Sequence, residues 1–311
     1  MKAKRLILRQ MCVEALEERR MLWAVSGVSS IASHAAVGHS ASVPAIVKSA
    51  APIVPISNTD VNWSGYAIST ATNSVSSVAG SWVVPAVNPK SSGYSATWVG
   101  IDGYNSSTVE QIGTEQDVIG GRIAYSAWFE MYPTSAVTIP NFAMKPGDSI
   151  SASVRYDSTH QNFVLTINDA TESESYTTTQ SVAGALRSSA EWVVEAPADS
   201  RGVLPLAAFG SVTFTNAYAT VNGTTGPIDN WQAYSINMAF SSRGRTQIEA
   251  SASSLSDRPA ASPLPNGISN ESYSGSVSSF TVNRSAAIVI SSAPPLESGW
   301  GRFVGLQRRT R

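Results

Sequence analysis

The sequence has very few of the side chains that most often carry out catalysis. Cys12 is the only cysteine in 311 residues, and the three histidines are His34, His39 and His160. A thiol nucleophile, a disulfide-stabilised core, a cysteine- or histidine-ligated metal and a Ser-His-Asp triad are therefore hard to build. We predict no metal and no cofactor. Any catalysis in the central part of the chain has to use carboxylates, amides and hydroxyls.

Charge is also scarce, and it is unevenly distributed. Charged residues make up 14% of the chain, against about 25% in an average soluble protein. Residues 60–290 contain ten Lys/Arg and eighteen Asp/Glu, a balance of −8. Because an acidic body repels polyanions, we expect no nucleic-acid partner. No run of about 18 apolar residues occurs, so we also predict no transmembrane segment.

The two ends of the chain differ from its middle. Residues 1–24 begin with the basic stretch MKAKRLILRQ, and the VEALEERRMLWA that follows resembles an N-terminal segment seen on many exported bacterial proteins. We interpret 1–24 as an export segment, which predicts a secreted or cell-surface protein. Residues 25–59 are rich in Ala, Ser, Val and Pro without a clear period, as in a linker or a propeptide. Residues 291–311 form a basic C-terminal tail.

The middle of the chain, residues 60–290, has the pattern of an all-β domain. Short runs rich in β-branched and aromatic residues recur between clusters of Gly, Asn, Ser, Pro and Asp, and no convincing amphipathic helix interrupts them. This pattern predicts a sandwich or barrel of antiparallel sheets. We expect separate strands at 211–216 and 217–222, a loop over 251–275, and a final strand at 277–282.

Three segments combine strand-forming residues with polar side chains on one face. They are WVGIDGYNSSTVEQIGTEQDV at 98–118, YSAWFEMYP at 125–133 and SAEWVVEAP at 189–197. Strand residues alternate between faces, so Glu191 and Glu195 share one face and Trp192 points into the core on the other. A face that carries Trp, Tyr, Glu and Gln suits a cleft for an extended polymer. The strand pattern alone favours Glu191 as a residue on the solvated side of a sheet.

Eight segments, taken in order, resemble those of the eqolisins, a family of glutamic peptidases. They are NWSGY at 62–66, SWVVPAV at 81–87, WVGIDG at 98–103, VEQIG at 109–113, YSAWFEMYP at 125–133, PGDSISASV at 146–154, SAEWVVEAP at 189–197 and FGSVTFTNA at 209–217. The resemblance implies a jelly-roll or concanavalin-like sandwich of two curved antiparallel sheets, with about seven strands each. It also implies an acid-acting endopeptidase with polypeptide substrates, which we expect to be a monomer.

The resemblance further implies a catalytic pair, Gln111 in VEQIG and Glu191 in AEW. The Glu191 carboxylate would deprotonate the attacking water and return the proton to the leaving amine, while the Gln111 amide stabilises the oxyanion. We expect the ionised Glu191 to be supported by hydrogen bonds, one of them from Gln111. The residues that match cleft positions of the family, and that we expect to bind substrate, are Trp63, Trp98, Asp102, Trp128, Glu130 and Tyr132.

Two functions of other classes stay open at this point. A jelly-roll glycoside hydrolase could use Glu130 and Glu191 as its two carboxyl groups, which in a retaining enzyme lie about 5–5.5 Å apart on opposite walls of the cleft. A non-catalytic sandwich that binds sugar or peptide would need no such pair. We interpret Glu195, close to Pro197, as a structural residue at a sheet edge.

Overall fold

The computed structural model describes residues 56–242, 245–258 and 277–290, and nearly all of its regular structure is β. Its strands are β1 Ile56–Asp60, β2 Trp63–Ser69, β3 Val75–Val83, β4 Gly93–Ile101, β5 Val109–Ile119, β6 Arg122–Tyr132, β7 Val137–Thr138, β8 Ser149–Asp157, β9 Asn162–Asp169, β10 Glu174–Gln180, β11 Ser189–Glu195, β12 Ala198–Asp199, β13 Gly202–Val203, β14 Ser211–Val221, β15 Thr224–Pro227, β16 Ala233–Ser242, β17 Arg245–Ala252, β18 Ser256–Arg258 and β19 Val277–Ile290. Within these ranges the one helical element is the 3₁₀ turn Ile228–Asn230.

Several predictions about the ends of the chain fall outside the described ranges. They concern the export segment 1–24, most of the linker or propeptide 25–59, and the basic tail 291–311. The described part begins at Ile56, four residues before the predicted start of the β domain at residue 60. These four residues belong to β1, which pairs in parallel with β16. Among the described residues, no helix is long and apolar enough to cross a membrane.

The strands form two layers. The front sheet has the order β7-β6-β5-β4-β11-β2-β16-β1, and the back sheet has the order β10-β9-β8-β3-β14-β19-β17. Antiparallel pairing of β16 with β17 connects the two layers. The prediction of a sandwich of two sheets with about seven strands each is therefore confirmed.

The main core lies between the two sheets and is closed by bonds that cross from one sheet to the other. Trp192 of β11 is fully buried there, and its indole N–H donates to the carbonyl oxygen of Ala79 on β3 at 2.7 Å. In the opposite direction, the Trp82 indole of β3 donates to the Thr114 hydroxyl of β5 at 3.0 Å. The prediction that Trp192 belongs to the core is confirmed.

Two strand boundaries differ from the sequence-based prediction. Residues 211–221 form one strand, β14, in which Asn216 has a φ of 51° and the pairing with β3 shifts between Thr215 and Tyr218. The prediction ended one strand at Asn216 and began the next at 217, whereas the structure has a β-bulge at Asn216 within the single strand β14. The last strand also continues beyond 282 to Ile290, because this part pairs with residues 246–250 of β17. The expected loop 251–275 is wrong at its start, where β17 ends at Ala252 and β18 spans Ser256–Arg258.

The outer face of the front sheet carries a second, smaller apolar cluster. It consists of Trp63, Ala67, Ala96, Trp98, Val109, Trp128, Ala136, Val193 and Ile236. Gly113 lies directly between Trp98 on β4 and Trp128 on β6 in the strand register. A Cβ atom at Gly113 would stand 2.2 Å from the Thr97 carbonyl oxygen and 2.6 Å from Trp98 Cβ. The glycine is therefore required so that the two indoles fit on this face.

We predict that Gly113→Ala destabilises the protein by about 3 kcal/mol, because the added methyl group overlaps backbone atoms that cannot move aside. Urea unfolding followed by tryptophan fluorescence measures the change. Gly121→Ala is the matched control: its φ is 74° but no atom lies within 4 Å of the new Cβ, so we expect a loss of only about 1 kcal/mol. Equal losses in the two variants would contradict the packing argument.

Candidate active site

The proposed catalytic residues lie in one row across four neighbouring strands. Glu191 on β11 is opposite Gly100 on β4, Gly100 is opposite Gln111 on β5, and Gln111 is opposite Glu130 on β6. Residues that stand opposite each other in antiparallel strands point to the same face. Two interstrand spacings place the Cα atoms of Glu191 and Gln111 about 10 Å apart. Gly100 places no side chain between the carboxyl and the amide, and the Trp98 ring lies 3.0 Å from where a Cβ of Gly100 would stand.

Gln111 is held by Glu130 and not by Glu191. The Gln111 amide Nε2 donates to Glu130 Oε2 at 2.6 Å, and both side chains are buried. This differs from the expected hydrogen bond between Gln111 and Glu191. The reason is the register, because β6 is one strand away from Gln111 whereas β11 is two strands away on the other side. An amide nitrogen carries two hydrogens, so this bond orients Gln111 and leaves one N–H for another acceptor.

Glu191 is completely buried, although the sequence pattern allowed it to be solvated. Burial raises the pKa of its carboxyl well above the ordinary value. The side chain of Ser189 and the backbone amide of Tyr104 oppose this shift, while the nearby Asp102 and Glu110 carboxyls add to it. Tyr104 belongs to the loop between β4 and β5, which comes close to the row at Glu191. The site therefore holds a carboxyl group whose proton is retained beyond the usual range.

Glu110 is a second buried carboxyl, and sequence reasoning did not single it out. It precedes Gln111 on β5 and so points to the opposite face, where it stands between Ile101 and Met131. Burial raises its pKa to about 9, the charge of Asp102 adds to the shift and the side chain of Thr108 opposes it. Its only sequence signal is the alternation of faces within VEQIG, which puts a glutamate into the interior of the sandwich.

The predicted aromatic residues meet on the same face as the row. Trp63 and Trp98 make an edge-to-face contact with ring centroids 4.8 Å apart, and Tyr132 packs against their cluster. Trp98 and Trp128 have no exposed surface, so they form the floor of this face. Substrate contact by these residues stays a prediction.

Glu195 supports this floor from within the sheet. β11 has a partner strand on each side, so the expectation that Glu195 lies at a sheet edge is wrong. Its carboxylate accepts hydrogen bonds from the Trp98 indole at 2.8 Å and from the Asn62 amide at 3.2 Å. These contacts fit the structural role that was predicted for Glu195.

Asp102, which we expected to bind substrate, is engaged by the protein itself. It follows β4 with a φ of 68°, its side chain is fully buried, and its carboxylate accepts hydrogen bonds from the segment that leads into β11. The motif WVGIDG indicated that Asp102 lies next to the row, but it did not indicate the direction of the Asp102 side chain. The left-handed backbone at Asp102 breaks the alternation of faces at the end of β4, whereas the expectation rested on the resemblance of WVGIDG to the eqolisins.

Comparisons with known proteins show the family of the chain. The model of the peptidase A4 family matches residues 61–257. The chain belongs to this family. Aspergillopepsin-2 from Aspergillus niger is 33% identical over 192 residues, which are 54% of this chain and 67% of that protein. The structure of scytalido-glutamic peptidase with a transition state analog inhibitor has a TM-score of 0.56 and 22% identity, and it covers 73% of this chain and 99% of its own.

A second solved structure shares the fold at the same level. SCP-B, a member of the eqolisin family of peptidases crystallised with the tripeptide Ala-Ile-His, has a TM-score of 0.52 and 22% identity, and it covers 73% of this chain and 99% of its own. The resemblance to the eqolisins that the eight motifs indicated is confirmed. As an A4 peptidase, the protein is a peptide hydrolase with polypeptide substrates.

The geometry gives no support to the glycoside hydrolase alternative. Glu130 and Glu191 are separated by three interstrand spacings in one sheet, which is about 14 Å between Cα atoms. The Glu130 carboxylate is also engaged by the Gln111 amide. A retaining pair needs its carboxyl groups about 5–5.5 Å apart on opposite walls. Two glutamates of one strand row in this A4 peptidase do not form such a pair.

We predict that the buried Glu110 makes the protein lose stability as the pH rises. Its ordinary pKa is 4.5 and its pKa in the folded protein is about 9, so the folded state binds one more proton than the unfolded state between these values. The free energy of unfolding therefore falls by up to about 1.4 kcal/mol per pH unit in this window. Glu110→Gln removes this contribution, and urea unfolding from pH 4 to 9 should show a flatter curve.

Asp199→Asn is the control for this experiment. Arg201 holds the pKa of Asp199 below its ordinary value of 3.8, so Asp199 is ionised in both states above pH 5. We expect this variant to have the same slope as the wild type between pH 5 and 9. An unchanged slope in Glu110→Gln would contradict the assignment of a proton to Glu110.

Proposed function

We propose that this protein is an acid-acting endopeptidase in which Glu191 is the general base and Gln111 stabilises the oxyanion. The observation that carries the proposal is the row Glu191–Gly100–Gln111, in which a carboxyl group and an oriented amide face the same space across a glycine. Tyr132, which packs against the indole cluster beside this row and is partly exposed, suits contact with an extended polypeptide. Membership of the A4 family supplies the reaction class.

The proposed reaction uses only the side chains of this row and one water. The Glu191 carboxylate takes a proton from the water as its oxygen attacks the scissile carbonyl carbon. The free N–H of Gln111 donates to the carbonyl oxygen as it becomes negatively charged, and one preorganised donor of this kind contributes about 3–4 kcal/mol. Protonated Glu191 then gives the proton to the leaving amine, the C–N bond breaks, and the carboxylate is restored.

Glu130 and Gly100 support the same reaction without touching the reacting atoms. The bond from Gln111 to Glu130 holds the amide in place before substrate arrives, so no free energy is spent on orienting it during the reaction. A side chain at Gly100 would enter the space between Glu191 and Gln111. Its Cβ would stand 3.2 Å from Gln111 Cβ and 3.0 Å from the Trp98 ring.

The location of the protein and its processing are part of the proposal. The segment 1–24 resembles an export segment, which supports action outside the cytoplasm, and residues 25–59 would then be a linker or a propeptide. That the mature protein works as a monomer stays a prediction, which light scattering of the purified protein tests.

The direct test is casein hydrolysis from about pH 2 to 7 by the wild type, Glu191→Gln and Gln111→Ala. We expect Glu191→Gln to lose at least about 1,000-fold in kcat/KM and Gln111→Ala about 100- to 1,000-fold. Glu249→Gln makes the same chemical change on β17, outside the front sheet, and should keep wild-type activity. Full activity in Glu191→Gln would end the proposal, and release of reducing sugar from xylan without proteolysis would favour the glycosidase.

We further predict that the acid limb of the pH profile lies above about pH 4.3, the ordinary pKa of a glutamate. A general base must be ionised, and burial raises the pKa of Glu191, so activity should fall as the pH drops through this raised value. The pH dependence of kcat/KM reports the pKa of the free enzyme. Undiminished kcat/KM down to pH 2 would contradict the base role and assign Glu191 as a proton donor.

A further inference from the structure

The loop that follows β4 is bonded to the start of β11 by Asp102 and, through the Ser188 hydroxyl at 3.0 Å, by Asn105 Oδ1; Asp102 makes most of these bonds. Its Oδ2 accepts the backbone N–H of Arg187 at 2.7 Å, and its Oδ1 accepts the backbone N–H of Ser188 at 2.9 Å and the Ser188 hydroxyl at 3.2 Å. The backbone N–H of Asp102 in turn donates to the carbonyl oxygen of Ser189 at 3.1 Å. These four bonds engage three consecutive residues, the last of which is two positions before Glu191.

The backbone conformation of Asp102 is adapted to these hydrogen bonds with residues 187–189. Its φ of 68° lies in the left-handed region, which costs a residue with a Cβ about 1–2 kcal/mol. Asp and Asn adopt this conformation more readily than other such residues. The conformation turns the carboxylate towards the segment 187–189 and away from the cleft. Since every group that reaches the carboxylate is a donor, the site fits a negatively charged oxygen pair.

We propose that Asp102 is a positioning residue for the reaction: it holds the start of β11, and with it Glu191, and places a fixed negative charge beside the proposed base. This inference rests on the proposed function of Glu191. It assigns Asp102 a role different from substrate binding, because its carboxylate is fully buried and engaged by the protein itself.

The charge of Asp102 is the one that should dominate at Glu191 in acid. The other titratable groups of the neighbouring elements are Glu130 on β6, Tyr104 in the loop after β4 and Tyr234 on β16, together with Glu110 on β5, which acts on Glu191 from the opposite face of the sheet. Tyrosine hydroxyls do not ionise in acid. The pKa of Glu110 is about 9, so it is neutral there. Glu130 stands three strands away from Glu191, and its charge is engaged by Gln111.

A second negative charge close to a carboxyl group opposes its ionisation, and its removal makes ionisation easier. In Asp102→Asn the acid limb of kcat/KM should therefore move by about one unit to lower pH. At the pH optimum kcat should fall about 10-fold or more, with little change in KM, because Glu191 is held less firmly. A purely structural role would lower kcat and stability at every pH and leave the limb where it is.

The experiment compares the pH profiles of kcat/KM for the wild type, Asp102→Asn, Asp102→Gly and Glu110→Gln. Asn and Gly at position 102 are both neutral and both tolerate a φ of 68°. If one of the two variants does not fold, the experiment uses the other. Glu110→Gln is the matched control, because it exchanges one neutral group for another in the acid range and should leave the limb in place. Circular dichroism checks that each variant is folded.

The outcomes separate this inference from the proposed function. If Glu191→Gln keeps full activity, the proposed function fails and this inference fails with it. If Glu191→Gln is inactive and the limb does not move in the folded Asp102 variants, only this inference is overturned. Collapse of both Asp102 variants would assign Asp102 to folding alone and would also overturn it. A shift in the Asp102 variants together with an unchanged limb in Glu110→Gln supports it.

Discussion

The register of β11 between β2 and β4 determines where the proposed chemistry takes place. Glu191 is opposite Gly100 on one side and Ala67 on the other, so it stands between two residues with little or no side chain. A slip of one residue would turn Glu191 into the core and Trp192 onto the cleft face. The bond from Trp192 to the Ala79 carbonyl oxygen and the burial of its indole oppose such a slip. The core between the sheets therefore fixes the face on which the carboxyl group lies.

The burial that positions the carboxyl groups also raises the free energy of their ionised forms. Desolvation raises the pKa of Glu191, Glu110 and Asp60 above their ordinary values. Glu110, whose pKa is about 9, is neutral in acid, where its burial costs least. The proton on Glu110 therefore stabilises the fold under the conditions in which an acid-acting enzyme operates. Stability and working pH are connected through the protons that the folded state retains.

The proposed oxyanion donor depends on neighbours that hold it rather than on its own strand. Glu130 orients the Gln111 amide from β6, and Gly100 places no side chain beside it on β4. On the same face Gly113 admits the two large indoles that form the floor. These contacts come from three adjacent strands, so the site is a property of the sheet and not of one motif. Preorganisation of this kind is what gives a donor its effect on the rate.

The sequence by itself determined the class of fold, because alternation of apolar and polar residues and the ordered motifs do not depend on how strands are arranged in space. The resemblance of its motifs to the eqolisins also singled out Gln111, Glu130 and Glu191 as site residues. Only the tertiary structure decided which strands are neighbours, and hence that Gln111 bonds to Glu130 and that Glu195 lies within the sheet. The positive φ of Asp102 and the bulge at Asn216 likewise arise from contacts between segments far apart in the chain, which no local pattern encodes.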